Sequence, residues 1–238
     1  MMRCVCAFLL TLASAASAQE EPFAALGEHE WGRFGLGSWV EKSLRREQGK
    51  EAFEGVLRLE MVEKNPQEIT LKVEMEAGKE RRPIELKKIS AAARSLRPEG
   101  EEFSRTTEII EIAGEKHECE VRGFRHTRDQ SQVETRVWLC SNRPGIALRS
   151  ETTATRETRQ IRQVRRVLRY DEKVKWGDRE LTCQVREEVR SGDGPNYTKT
   201  IWECLAIPGG ELRSELVQKG KDGDVRVVEL IRDYAAKP

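Results

Sequence analysis

The sequence predicts a mainly β protein whose antiparallel strands follow one another as a meander. Apolar and polar residues alternate with a period of two through most of the chain, and dense turn motifs separate the alternating segments. Many residues also recur at a constant offset of 64 positions, which indicates an internal repeat. We expect the strands to bury their apolar face as a curved half-barrel or a sandwich, with one or two short helices at 23–31 and 90–96.

The repeat is clearest at the cysteines. Cys119 and Cys140 are 21 positions apart, as are Cys183 and Cys204, and the two pairs are offset by 64. Other residues are related by the same offset without a gap, and they are Val121 and Val185, Trp138 and Trp202, Pro144-Gly145 and Pro208-Gly209, Leu148–Glu151 and Leu212–Glu215, Val164 and Val228, and Tyr170 and Tyr234. One supersecondary unit is therefore predicted to occur twice.

The repeat suggests a division of the chain. We assign residues 1–18 to a signal peptide, 19–105 to an N-terminal β segment, 106–170 to copy 1 and 171–238 to copy 2. Within the N-terminal segment, Gly37-Ser38-Trp39-Val40 resembles the Trp-containing strand of the copies. This segment is therefore a candidate for a degenerate third copy that has lost the cysteines.

The strands can be assigned in order along the chain. Residues 56–62 and 69–75 read as a hairpin around Asn65-Pro66, and residues 84–89 and 107–112 are further strand candidates. In copy 2, residues 181–190 alternate in polarity, a Gly-rich turn follows at 191–196, and residues 198–205 form the return strand. Each copy then adds a strand after its Pro-Gly turn and a last strand, at 160–170 or 225–234.

The hairpin register predicts the disulfides. If Cys183 lies opposite Cys204, the hairpin centre falls in the turn at 191–196, and the same construction for Cys119 and Cys140 centres between Asp129 and Gln130. Directly opposed residues of antiparallel strands are close enough to be bridged. We therefore predict the disulfides Cys119–Cys140 and Cys183–Cys204, each worth about 3 kcal/mol in the chain-entropy model.

The same register places an apolar cluster beside each disulfide. Val121 would lie opposite Trp138, and Val185 opposite Trp202, on the face that carries the cysteines. Packing in the core explains this arrangement, and stacking of a ligand on the tryptophans is the alternative.

The N-terminus is typical of a secretory signal peptide. Met1-Met2-Arg3 is followed by an apolar run to Leu12 and by Ala16-Ser17-Ala18, which predicts cleavage after Ala18. The four cysteines that remain suit two disulfides in an oxidising compartment, so we expect a secreted or periplasmic protein. No later segment is apolar enough to span a membrane, in line with a mean hydropathy of -0.66.

The charge balance disfavours two classes of partner. The chain has 42 basic and 41 acidic residues, and removal of Arg3 with the signal would balance them. A nucleic-acid-binding protein would carry a basic excess, as would a polybasic protein of a membrane surface. We therefore expect neither nucleic acid nor a charged membrane surface as the partner.

The sequence offers no catalytic constellation. It has three histidines, His29, His117 and His126, and no hydrolase, metalloprotease, P-loop or dinucleotide motif. A metal site from Cys119 and Cys140 with His117 and His126 is disfavoured, because copy 2 has Leu181 at the position of His117. We predict no catalytic residue, metal or cofactor.

The copied pattern resembles a known type of protein. Its parts are Ala113-Gly114, Cys119, Val137-Trp138, Pro144 and Val167-Leu168, and copy 2 departs from it with Gly177-Asp178. The pattern resembles a unit of exported bacterial proteins of unknown function, many of them planctomycete-like. More distantly, the strands resemble the half-barrel of periplasmic lipoprotein carriers, a likeness that concerns the fold alone.

These observations favour an exported, non-catalytic β domain that binds an apolar ligand, such as a lipid, or a partner protein. The alternative is a structural or interaction protein of the envelope that binds through its charged surface. A hydrolase is the third candidate.

Overall fold

A computed structural model describes residues 30–77, 80–81, 84–90, 98–143, 146–220 and 223–237. Within these ranges the chain forms fourteen strands, so the mainly β class is confirmed. The strands are β1 (Trp39–Gln48), β2 (Glu51–Lys64), β3 (Glu68–Ala77), β4 (Glu80–Arg81), β5 (Glu85–Ser90), β6 (Glu101–Ile112), β7 (Glu115–Arg128), β8 (Ser131–Cys140), β9 (Ala147–Arg156), β10 (Arg159–Trp176), β11 (Arg179–Gly192), β12 (Tyr197–Glu203), β13 (Glu211–Gln218) and β14 (Val225–Ala235).

All these strands belong to one antiparallel sheet. Its order is β4-β3-β2-β1-β14-β13-β12-β11-β10-β9-β8-β7-β6, and β5 pairs with β3. Short turns join sequential neighbours, and the pairing of β1 with β14 joins the two ends of the chain, from Trp39 opposite Ala235 to Gln48 opposite Val225. Because the described strands form a single sheet with free edges, the alternative of a sandwich of two sheets is wrong.

The sheet is strongly curved. Trp176 lies on β10 and Ile231 on β14, four strand spacings apart, which is about 19 Å in a flat sheet. Nevertheless, the indole Nε1 of Trp176 donates a hydrogen bond of 3.1 Å to the carbonyl oxygen of Ile231. The segment from β10 to β14 therefore rolls around its own apolar side chains.

The sheet has two rolled parts, from β6 to β10 (the first roll) and from β10 to β14 (the second roll), and each contains a buried cluster. The first, here the β6–β10 core, consists of Ile112, Cys119, Val121, Trp138, Cys140, Leu148 and Val167. The second, here the β10–β14 core, also receives side chains from β1 to β3 and consists of Trp31, Val40, Met61, Ile69, Leu71, Leu181, Cys183, Cys204, Ile207, Leu212 and Ile231. Burial of these side chains supplies the main force that bends the sheet.

Strand β10 belongs to both rolls. Its residues 159–166 pair with β9, and residues 161–176 pair with β11 on the other side. The register with β11 shifts on either side of Arg169, and Asp171 has a positive φ of 51°. The boundary drawn from the sequence between residues 170 and 171 thus coincides with an irregularity inside one continuous strand.

The expected short helices are not found in the described residues. Ser90, where the second helix would begin, instead extends β5 and lies opposite Glu68 of β3, because a strand partner satisfies its backbone. Trp31 lies in a turn, where its carbonyl accepts a hydrogen bond from the Phe34 amide. Residues 23–29 and 91–96 lie outside the described ranges.

Candidate functional site

The two cysteine hairpins have the same register. Cys119 lies opposite Cys140 and Val121 opposite Trp138, while Val185 lies opposite Trp202. Cys119 and Cys140 are joined in a disulfide, and their Cα atoms are 4.2 Å apart. This separation is typical of the closely spaced positions of an antiparallel pair.

Cys183 and Cys204 are not bonded in this structure. The register of the preceding pair, Gln184 opposite Glu203, places the two cysteines across from each other at the next step. Both are buried, with exposed fractions of 1% and 2%. Burial first, and then the neighbouring Cys204 thiol, raise the pKa of Cys183 to about 12.

The residues proposed as an apolar cluster lie in the core. Val121, Trp138 and Val185 are buried, and Trp202 is half-buried. The indole Nε1 of Trp138 donates to Glu108 at 2.9 Å, and that of Trp202 donates to Glu172 at 3.2 Å. Both tryptophans therefore have protein partners for their polar atom, as buried indoles usually do.

A guanidinium lies over each of these tryptophans. Arg149 lies 4.9 Å from the ring centre of Trp138, and Arg213 lies 4.9 Å from that of Trp202. These distances are within the range of a cation–π interaction. The guanidinium covers one ring face that a stacking ligand would need.

Each arginine continues into an ion network. Glu151 accepts hydrogen bonds from Arg149 and from Arg162, and Glu215 is paired with Arg213 and Arg226. Burial alone would raise the pKa of Glu151, but the hydrogen bonds from Arg162 and Arg149 lower it. The result is a connected array of side chains, namely Glu108 on β6, Trp138 on β8, Arg149 and Glu151 on β9, and Arg162 on β10. The residues 64 positions later form the same array across β10, β12, β13 and β14, and they are Glu172, Trp202, Arg213, Glu215 and Arg226. The repeated Leu-Arg-Ser-Glu segments contain two of the five members of each array, the arginine over the tryptophan and its glutamate.

A related stack occurs in the N-terminal segment. Arg58 of β2 lies 4.2 Å from the ring centre of Trp39 on β1, and it pairs with Glu60 at 4.0 Å. The order of tryptophan, arginine and glutamate is the same as in the two copies, although the spacing along the chain differs.

A second network, centred on Lys42, was missed by the sequence reasoning. Lys42 is only 8% exposed and pairs with Glu211 at 3.1 Å and with Glu229 at 3.5 Å, while Lys199 approaches Glu211 at 3.6 Å. Burial would raise the pKa of Glu211, but the positive charges of Lys42 and Lys199 lower it. Nothing in the sequence around Lys42 distinguishes it from the exposed lysines of the strands.

The two copies differ on the face opposite the cysteines. In copy 1 this face holds a small apolar cluster of Phe124, Val137, Leu139 and Ala147. The positions 64 residues later are Glu188, Ile201, Glu203 and Glu211, of which Glu203 is paired with Arg186 and Glu188 with Arg165. The second hairpin therefore has charge pairs where the first has apolar packing at the positions 64 residues earlier.

Strand β6 forms one edge of the sheet. In the described part of the chain it pairs with β7 alone, so its other side has no strand partner. Its twelve residues include four glutamates and one arginine, and Ile109 is 69% exposed. On the other face of the strand, Ile110 and Ile112 pack in the β6–β10 core. An exposed edge of this length is unusual in soluble proteins, which protect such edges from unwanted pairing.

A cavity of about 160 Å³ lies at the tip of the β1–β2 hairpin, lined by Arg46, Gln48, Glu51, Ala52 and Phe53. Among the residues placed by the structure, no group of histidine, cysteine and acidic side chains is arranged to hold a metal ion. The sulfurs of Cys119 and Cys140 are also committed to each other. In the same ranges no helix is long and apolar enough to cross a membrane.

Comparison with known proteins adds two distant similarities. No family model and no curated protein matches the chain. A protein of Bacteroides fragilis NCTC 9343 that is assigned to export and has a YmcC-like fold is similar at 10% identity and a TM-score of 0.35, over 85% of this chain and 97% of that one. A DUF3598-family protein of unknown function from Nostoc punctiforme PCC 73102 is similar at 10% identity and a TM-score of 0.20, over 86% of this chain and 99% of that one. At this level of similarity neither protein informs the function of the chain.

Proposed function

We propose that this protein is an exported, non-catalytic β protein that binds an extended segment of a partner protein along strand β6. The observation that carries the proposal is the free edge of β6 together with the exposed side chain of Ile109. An extended peptide that adds to such an edge gains backbone hydrogen bonds, and its alternate side chains contact those of the edge strand.

The charge of β6 indicates the chemistry of the partner segment. The strand carries four glutamates and one arginine, and Glu111 is exposed on the same face as Ile109. A segment that alternates basic and apolar residues along its matching face would pair with both Glu111 and Ile109. A second copy of this chain would instead bring the same excess of negative charge to the interface.

The tryptophans support a protein partner over an apolar ligand. Trp138 has little exposed surface, and an arginine covers Trp202. The alternative of an envelope protein that binds through its charges has less support, because exposed arginines such as Arg166 already pair with glutamates within the sheet.

Export and duplication are part of the same proposal. Cleavage after Ala18 would place the chain in a compartment where the Cys119–Cys140 disulfide is stable. The two arrays of ions and tryptophans related by 64 positions support a division into copies at 106–170 and 171–238. The stack of Arg58 on Trp39 supports a degenerate third copy within residues 19–105.

A site-specific photocrosslinker tests the proposed interface. It would replace Ile109 in the exported protein, and a matched control would carry it at Leu205, which is 68% exposed but lies in a loop. We expect an adduct from position 109 alone, mapped by mass spectrometry to an extended segment with alternating basic and apolar residues. An adduct with a second copy of this chain would contradict the proposed partner, and equal labelling at the two positions would refute the edge as the binding site.

A further inference from the structure

Cys183 and Cys204 face each other inside the β10–β14 core. The strand register brings Gln184 opposite Glu203, one step from the cysteines, and the two thiols are within hydrogen-bonding reach of each other, so a disulfide can form between them without a large movement of the backbone. In this structure the pair is a dithiol, and both side chains are buried.

We propose that Cys183 and Cys204 form a second oxidation site whose state is fixed when the chain folds. A chain that meets a thiol oxidant before the β10–β14 core closes acquires the disulfide, and a chain that closes in reducing conditions keeps the dithiol. The oxidation state of this pair therefore records the compartment in which the chain folded.

The burial of the two cysteines and the low reactivity of the Cys183 thiol both support an oxidation state that is fixed by folding. Exposed fractions of 1% and 2% leave no path for an oxidant to reach either sulfur in the closed core. The described groups that act on the Cys183 thiol also disfavour its thiolate, because burial, Cys204 and Glu172 all raise its pKa. The thiolate is the form that attacks a disulfide, so the folded dithiol is expected to react very slowly.

The oxidation is an ordinary thiol–disulfide exchange. One thiolate of the open chain attacks a sulfur of the oxidant, which is glutathione disulfide in vitro, and forms a mixed disulfide while a glutathione thiolate leaves. The second cysteine then attacks the mixed disulfide and releases another glutathione. The two protein thiols lose two protons and two electrons, and glutathione disulfide becomes two molecules of glutathione.

Two orders of folding and oxidation test the proposal. In the first, the reduced and unfolded mature chain refolds in the presence of glutathione disulfide. In the second, it refolds in a reductant, the reductant is removed, and glutathione disulfide is then added to the folded protein. Free thiols are alkylated in denaturing urea, and peptide mapping assigns each disulfide.

We expect the Cys183–Cys204 disulfide in the sample that refolds with glutathione disulfide, and the dithiol in the sample that meets glutathione disulfide only after folding. Because both sulfurs are buried and the pKa of the Cys183 thiol is raised to about 12, the folded thiol should react at least roughly a hundred-fold more slowly than in the urea-unfolded chain. The Cys119–Cys140 disulfide in the first sample is the internal control for a competent oxidant. Two free thiols at 183 and 204 in that sample, or equally fast oxidation of folded and unfolded chains, would overturn the proposal.

Discussion

Lys42 of β1 and Glu211 of β13 form an ion pair of 3.1 Å although β14 lies between their strands. Lys42 also reaches Glu229 on that intervening strand, so one buried ammonium connects three neighbouring strands. This is the region where the N-terminal segment joins the end of copy 2. The pair therefore helps to hold together parts of the sheet that are far apart in the sequence.

Replacement of the buried Lys42 should lower the free energy of unfolding. In the Lys42→Met variant Glu211 and Glu229 stay partly buried without their main counter-charge, so we expect a loss of about 3 kcal/mol in the free energy of unfolding. Urea denaturation followed by fluorescence measures it. Lys88→Met is the matched control, because Lys88 pairs with Glu68 at the surface; an equal loss in both variants would contradict the role of burial.

The same pair predicts a dependence on pH. The pKa of Glu211 is lowered in the folded protein, so its contribution to stability is complete above the unfolded carboxyl value of about 4.3 and is lost as the pH falls through the lowered value. The difference in unfolding free energy between the wild type and Lys42→Met should therefore shrink between about pH 5 and pH 2. Urea titrations at several pH values measure this difference, and a constant difference would argue against a charged Glu211.

The two tryptophan arrays should respond alike. Trp138→Phe and Trp202→Phe each keep an aromatic ring and remove the N–H that donates to Glu108 or Glu172. We expect each change to cost about 1.5–3 kcal/mol of unfolding free energy, the value of a hydrogen bond to a charged acceptor, with Trp202 at the lower end because it is half-buried. Thermal and urea unfolding check the values. A cost in only one hairpin would contradict structural equivalence of the copies.

Loss of the first disulfide should destabilise the protein through its unfolded state. The double variant Cys119→Ala/Cys140→Ala frees a loop closed over 21 positions, and we expect a loss of about 3 kcal/mol in unfolding free energy. Urea unfolding of the oxidised samples measures it. The control is the same comparison of wild type and variant in a strong reductant, where the difference should largely disappear; no difference between the oxidised samples would contradict a stabilising role.

Local features of this fold could be predicted from the sequence, and features formed between distant segments could not. The cysteine spacing placed Val121 opposite Trp138, because a hairpin register follows from a nearby turn. The pairing of β1 with β14 had no such signal, since it depends on the curvature of the whole sheet. The burial of Lys42 depends on that pairing, so it could not be predicted from the sequence either. Ser90, where a helix was expected to begin, belongs to a strand instead, because its pairing with Glu68 satisfies its backbone; residues 91–96 lie outside the described ranges.

The 18-residue strand β10 sets a limit on how this chain can be cut. A fragment that ends at residue 170 would keep the residues of β10 that pair with β9, but residues 161–169 would lose their partner β11. A fragment that begins at residue 171 would keep Glu172 and Trp176 but would lack residues 161–169, which pair with residues 185–192 of β11. A fragment that holds the second roll would therefore need residues of β10 that the first roll also uses. Calorimetry of the intact protein should accordingly show both rolls melting in a single transition.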